Sequence, residues 1–153
     1  MPINHHEVKL DHSQITDQIY LGTDACCQNH FSKRLLEEGI TAAVSLEAEK
    51  AENPLGFEFF SWIPVIDQQS PTLDQYKMGV EIIDMLIKMG KKIYVYCKAG
   101  QGRSPSMLAA YFVSKGATVK EAIAKISEKR QIIHLQEEQI VGLERFANTV
   151  KKA

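Results

Sequence analysis

Cys97 is the side chain best placed for chemistry. The stretch YVYCKAGQGRSPSM, residues 94–107, brings an aromatic and β-branched run to this thiol. Beyond it come Gly100, Gly102, Arg103 and Ser104, ahead of a helical pattern. Glycine lets a backbone bend tightly and approach a ligand with no Cβ in the way. The N–H groups of Lys98, Ala99, Gly100, Gln101, Gly102 and Arg103 can then form an anion nest at a helix N-terminus. A phosphate fits such a nest, and Arg103 can grip two of its oxygens in bidentate fashion. Helix N-termini and nearby cations lower a thiol's pKa from about 8.5 to roughly 3.5–7.5. A thiolate on the floor of the loop is aimed for in-line attack on phosphorus, forming a phosphocysteine that water later hydrolyses. Ser104 can donate a hydrogen bond to the thiolate as it leaves.

The departing oxygen needs a proton, so the scheme calls for a general acid elsewhere in the chain. WIPVIDQQSPT supplies Asp67, after a predicted strand and before a capped helix. That places it on a loop at the same sheet end as Cys97, where it can later act as base on the attacking water. Asp74 competes, but its place in the first helical turn is explained by the helix dipole alone. Each part has a plainer reading: a core cysteine, a common Gly-x-Gly loop, a surface arginine. The joint arrangement of strand, Cys, two Gly, Arg, hydroxyl, helix and upstream Asp favours catalysis.

The elements that must position these groups follow from pattern and punctuation. SQITDQIYLG alternates like a half-buried strand or hairpin. DACCQNHFSKRLLEEG predicts a helix with Asp24 near its start and Gly39 as its stop. ITAAVSL (40–46), FEFFSWIPV (57–65) and KIYVYC (92–97) read as strands, with Trp62 a packing residue. Between the last two, Ser70 or Thr72 can cap a helix, Pro71 suits its first turn, and Gly90 ends it. Val80, Ile83 and Ile87 line one face of it. Three helices follow: one from Ser104 to Gly116, one opened by a Thr118-x-x-Glu121 capping box, and QEEQIVGLERFANTVKK with acids first and lysines last. Strands alternating with helices predict an α/β fold, a mainly parallel central sheet flanked by helices.

Composition bounds the rest. The 153 residues are one domain's worth, and we expect an N-terminal arm over 1–12 and a single domain over 13–153. Lys plus Arg (18) nearly balances Asp plus Glu (19), so no global field recruits nucleic acid. The sequence offers no transmembrane stretch and no secretion signal. Three cysteines form no disulfide scaffold and point to a reducing compartment, the cytoplasm. Cys26 and Cys27 are expected to pack on their helix. His5 and His6 lack partners at ligand spacing, so no metal and no cofactor is expected. His30 and His134 read as surface or helix-end residues, with His134 near enough to the loop to meet substrate.

Cys97 to Ser104, C-K-A-G-Q-G-R-S, resembles the Cys-x-x-Gly-x-x-Arg-Ser/Thr loop of the cysteine-dependent protein tyrosine phosphatase superfamily. The small size, the single Asp about thirty residues upstream and the helical C-terminal half look like its dual-specificity branch. The resemblance implies Cys97 as nucleophile, Arg103 as phosphate clamp, Asp67 as acid and base, and Ser104 as thiolate-stabilising hydroxyl. YVYCKAGQGRSPSMLAAYF, AIAKI and EEQIVGLERF are similar to phosphatidylglycerophosphate phosphatases within that branch. The CKAG start also occurs in phosphoinositide phosphatases, but Gln101 stands where those carry a second Lys. Gln139, or Gln136 in its place, matches a glutamine that positions water. Most members have His before the nucleophile. Tyr96 carries no charge there, which implies an activity optimum shifted to higher pH. The expected partner is a phosphorylated protein or phospholipid, with oligomeric state open. The expected function is metal-independent phosphomonoester hydrolysis by a dual-specificity protein phosphatase. The alternatives are a lipid phosphatase, a phosphate-binding module without turnover, or a rhodanese-like sulfurtransferase.

Overall fold

In the computed structural model, which describes residues 11–24, 28–49 and 56–151, five strands form one sheet in the order β1-β2-β5-β3-β4. The strands are β1 (His12–Gln14), β2 (Ile19–Thr23), β3 (Ile40–Glu47), β4 (Phe59–Val65) and β5 (Lys92–Cys97). Only β1 is antiparallel, joined to β2 as a hairpin. The pairs β2–β5, β5–β3 and β3–β4 are parallel. The mainly parallel sheet read from the sequence is therefore what forms. The helices are α1 (Gln28–Glu37), α2 (Leu73–Lys88), α3 (Arg103–Ser114), α4 (Val119–Lys129) and α5 (Glu137–Lys151).

Alternation along β5 sorts its side chains between the two faces. Ile93, Val95 and Cys97 join the larger core, which α2, α3, α4 and α5 complete. Tyr94 and Tyr96 join a smaller core with Tyr20, Leu35 of α1, Ile40 and Ala43. Central parallel strands are covered on both faces, which explains why β5 is nearly continuous in apolar and aromatic residues. Thr72, one of the two expected caps, closes a capping box with Gln75 on α2, which leaves Pro71 ahead of the cap and not in the first turn. Thr118 accepts from the Glu121 N–H at the start of α4, one half of the expected box. Gly39, Gly90 and Gly116, just beyond three helices, all take positive φ.

Because β2 to β5 run the same way, the chain leaves all four at one edge of the sheet. Asp24, Ala48, Ile66 and Lys98, which follow these strands, lie at that end, where ligands of open α/β sheets bind. Of the arm expected over 1–12, residues 1–10 lie outside the described residues, whereas Asp11 and His12 belong to the folded body. Cys26, Cys27, His5 and His6 also lie outside them, as does the side chain of His30. No described helix is long and apolar enough to cross a membrane.

Candidate active site

Cys97 ends β5 with its thiol buried. Ser104 Oγ lies 3.2 Å from Cys97 Sγ, and the Gly100 N–H donates to the same sulfur at 3.3 Å. A thiolate at this position would accept from both. Gly102 is the N-cap of α3 and offers no side-chain cap, so the first N–H groups of α3 stay available to an anion.

The direction of the loop peptides follows from what holds their carbonyls. Arg130 Nε donates to Gly100 O at 2.9 Å, and its Nη2 approaches Ala99 O at 3.5 Å. The His134 N–H donates to Gln101 O at 2.7 Å. A trans peptide points its N–H opposite to its carbonyl. With the carbonyls of 99, 100 and 101 drawn outward, the N–H groups of Gly100, Gln101 and Gly102 turn inward, as the Gly100–sulfur contact illustrates. Gly100 needs its positive φ of 65°. A Cβ there would also lie 2.7 Å from both Arg130 Nη2 and Gly22 O. Lys98, Ala99 and Gln101 face solvent at the loop rim.

Arg103 is 2% exposed. Its Nη1 donates to Val65 O at 2.7 Å, and its Nη1 and Nη2 grip the two carboxylate oxygens of Glu49 at 2.5 and 3.1 Å. Its Nε is buried with no hydrogen-bond partner. Burial works against the charged guanidinium, but the Glu49 hydrogen bond and the nearby Cys97, Glu49 and Asp67 hold Arg103 above its usual range. The Arg103 hydrogen bond in turn holds Glu49 below the ordinary carboxylate range, against the opposing effect of burial. Asp67 Oδ1 stands 3.6 Å from Arg103 Nη2. The Gln69 N–H closes a turn onto Ile66 O, and Gln68 within that turn has a left-handed φ of 67°. Asp74 sits in the first turn of α2, as its dipole reading required.

Gln139 is buried. Its Oε1 accepts from the Gln136 N–H at 2.8 Å, and its Nε2 donates to Gln69 O at 3.3 Å. Gln136 and Gln139 thus stand beside the Asp67 turn. A polar recess of about 410 Å³ opens there, lined by Asp67, Gln68, Gln69, Gln136, Glu137 and Glu138. The structure brings Cys97, Arg103, Ser104, Asp67 and Gln139 to one place. Sequence reasoning missed Glu49 and Arg130. Each reaches the loop across a long stretch of chain. Tyr96 is buried on the opposite sheet face, its ring 5.3 Å from that of Tyr94. No described group of His, Cys, Asp and Glu side chains could hold a metal ion.

A buried thiol under a loop of inward-turned N–H groups, at the end of a central parallel strand, fits the loop that the sequence likened to the cysteine-dependent phosphatases. The family profile described as "Polymorphic toxin system, DSP-PTPase phosphatase" matches residues 19–117, and the chain belongs to these dual-specificity-type phosphatases. It is 36% identical over 77 residues to human phosphatidylglycerophosphatase and protein-tyrosine phosphatase 1, covering 50% of this chain and 38% of that one. It is 29% identical over 96 residues to rat dual specificity protein phosphatase 5, covering 61% of this chain and 25% of that one. The chain thus spans well under half the length of these curated relatives. The crystal structure of PTPMT1 in complex with PI(5)P has the same fold, with a TM-score of 0.80 at 24% identity over 92% of this chain and 97% of that one.

Proposed function

We propose that the chain hydrolyses phosphate monoesters through a phosphocysteine intermediate on Cys97, acting on phosphotyrosine and phosphoserine or phosphothreonine in proteins. The observation that carries the reading is the buried Cys97 sulfur between Ser104 Oγ and the Gly100 N–H. The substrate phosphate occupies the loop, held by the N–H groups of residues 98–103 and by Arg103, whose Nε lacks a partner in the protein. Cys97 Sγ attacks phosphorus, the S–P bond forms, and the P–O bond to the leaving group breaks. Asp67 gives its proton to the departing oxygen. Gln139 or Gln136 orients a water beside the Asp67 carboxylate, which takes a proton as the water oxygen bonds to phosphorus. The S–P bond breaks, Ser104 donates to the returning thiolate, and inorganic phosphate leaves. Neither step requires a metal. Tyr96 supplies no charge behind the loop, so the activity optimum lies above that of relatives with His there. The unit responsible is a single catalytic domain, the expected 13–153 extended to take in Asp11 and His12, suited to a reducing compartment such as the cytoplasm.

Carboxylates of Asp67, Glu137 and Glu138 line the recess beside the acid. They disfavour a polyanionic head group and support the protein reading. Lys98 at the rim and the similarity to a phosphatidylglycerophosphatase support the lipid reading as the second choice. The test is hydrolysis of para-nitrophenyl phosphate in EDTA by wild type, Cys97→Ser and Asp67→Asn. We expect no turnover in Cys97→Ser and a loss of about 10²-fold or more in Asp67→Asn. Undiminished turnover in Cys97→Ser, or none in wild type, overturns the mechanism. Phosphopeptides and phosphatidylglycerophosphate vesicles then separate the two substrate classes.

A further inference from the structure

Gly142 sits inside α5, where glycine is the least favourable residue other than proline. Its place is explained by what it faces. A Cβ at Gly142 would collide with Ser70 Oγ and come within 2.8 Å of Ser70 Cβ. Ser70 lies three residues beyond Asp67, in the loop that carries the acid. One turn earlier on the same face of α5, Gln139 donates to Gln69 O. A Cβ at Gly102 of the nucleophile loop would fall 2.8 Å from Gln139 Oε1. The N-terminal half of α5 therefore touches both loops and spaces them apart.

We infer that Gly142 is a positioning residue for the acid: the bare backbone of α5 at this point lets Ser70, and with it the turn bearing Asp67, settle at working distance from the phosphate loop. The inference rests on the assignment of Asp67 as acid. On the α2 side Ser70 is held. Its Oγ donates to Pro71 O at 2.9 Å and lies 3.2 Å from Tyr76 Oη, and Thr72 just beyond is locked into the α2 cap. The displacement we expect runs the other way, into residues 66–69, which are exposed, the Asp67 carboxylate included.

The test reads the acid and not the fold. A dinitrophenyl phosphate departs without help, whereas phenyl phosphate needs a proton. We expect Gly142→Ala to lower kcat/KM for phenyl phosphate on the order of tenfold, a part of the 10²–10⁴ that a placed acid contributes. The ratio kcat/KM reports only the steps up to S–P bond formation, so the later base role of Asp67 does not enter it, and for the dinitrophenyl ester it should stay near wild type. Adding Ser70→Gly, which removes both colliding atoms, should restore kcat/KM for phenyl phosphate. Equal losses on the two esters, no loss on either, or no recovery in the double variant overturns the proposal. Asp67→Asn, measured alongside, separates the two ideas. If it shows no dependence on the leaving group, the acid assignment fails. If it shows the dependence and Gly142→Ala does not, only the role of Gly142 fails.

Discussion

At the residue scale the site turns on how Arg103 divides its donors. A buried guanidinium is tolerated only when it is paired and hydrogen-bonded. Glu49 and Val65 O fix Nη1, while Nη2 is shared between Glu49 and the neighbourhood of Asp67. The fork is thus held flat in the free protein, and with Arg103 as the proposed phosphate clamp less ordering remains for the binding step. Glu49→Gln keeps the shape but removes the charge. We expect kcat/KM to fall on the order of tenfold, the scale of one hydrogen bond to a charged group. Stability should carry a matching pH signature. Glu49 is held below its ordinary value of 4.5, so its contribution is full above that pH and fades as pH falls through the lowered folded value. Melting curves over a pH series should show the gap between wild type and Glu49→Gln wide near neutrality and closing in acid. A gap constant with pH would count against the ion pair as its source.

At the scale of elements, legibility followed the range of the interactions. Caps such as Thr72 and Thr118 and stops such as Gly90 and Gly116 act within a few residues, so the sequence displays them. The Cys97–Ser104 loop was legible for the same reason, since every member lies within one turn of chain. Glu49 and Arg130 were not, because nothing near either marks it as a partner of the loop. Arg130 illustrates the point. From the end of α4 it donates to Gly100 O and also grips Asp11, at 2.9 and 3.1 Å, beside β1. One planar fork thereby ties the first strand, the loop and a late helix together. Arg130→Met would leave the Gly100 carbonyl without its donor, at a cost of about 1–3 kcal/mol. For a chain of this size that lowers Tm by roughly 2–12 °C. Arg130→Lys should fail to restore kcat/KM, because an ammonium cannot hold the loop carbonyl and both Asp11 oxygens in one plane. Full recovery in the lysine variant would show that charge alone suffices.

Over the whole molecule, these struts connect the Cys97–Ser104 loop, the proposed anion site, to nearly every layer of the fold. Arg103 reaches the ends of β3 and β4 through Glu49 and Val65. Arg130 reaches β1, and Gln139 couples α5 to the loop that carries Asp67. An anion in the loop should then stabilise the chain as one cooperative unit and not merely order the loop. Net charge is only −1, so a stabilising effect of phosphate cannot come from relief of global repulsion and must arise locally. A ligand at about 100 times its Kd adds about 2.7 kcal/mol to a folded state that alone binds it. At this chain length that corresponds to an increase of roughly 5–11 °C in Tm. Inorganic phosphate should produce that increase in Cys97→Ser, where no turnover interferes, and sulfate at matched ionic strength should do so in proportion to its own affinity. Chloride at the same ionic strength should not. With phosphate saturating, the melt should remain a single transition that moves as a whole. A fixed main transition beside a small shifted one would mean that the loop orders on its own and that the struts do not carry its binding energy into the sheet.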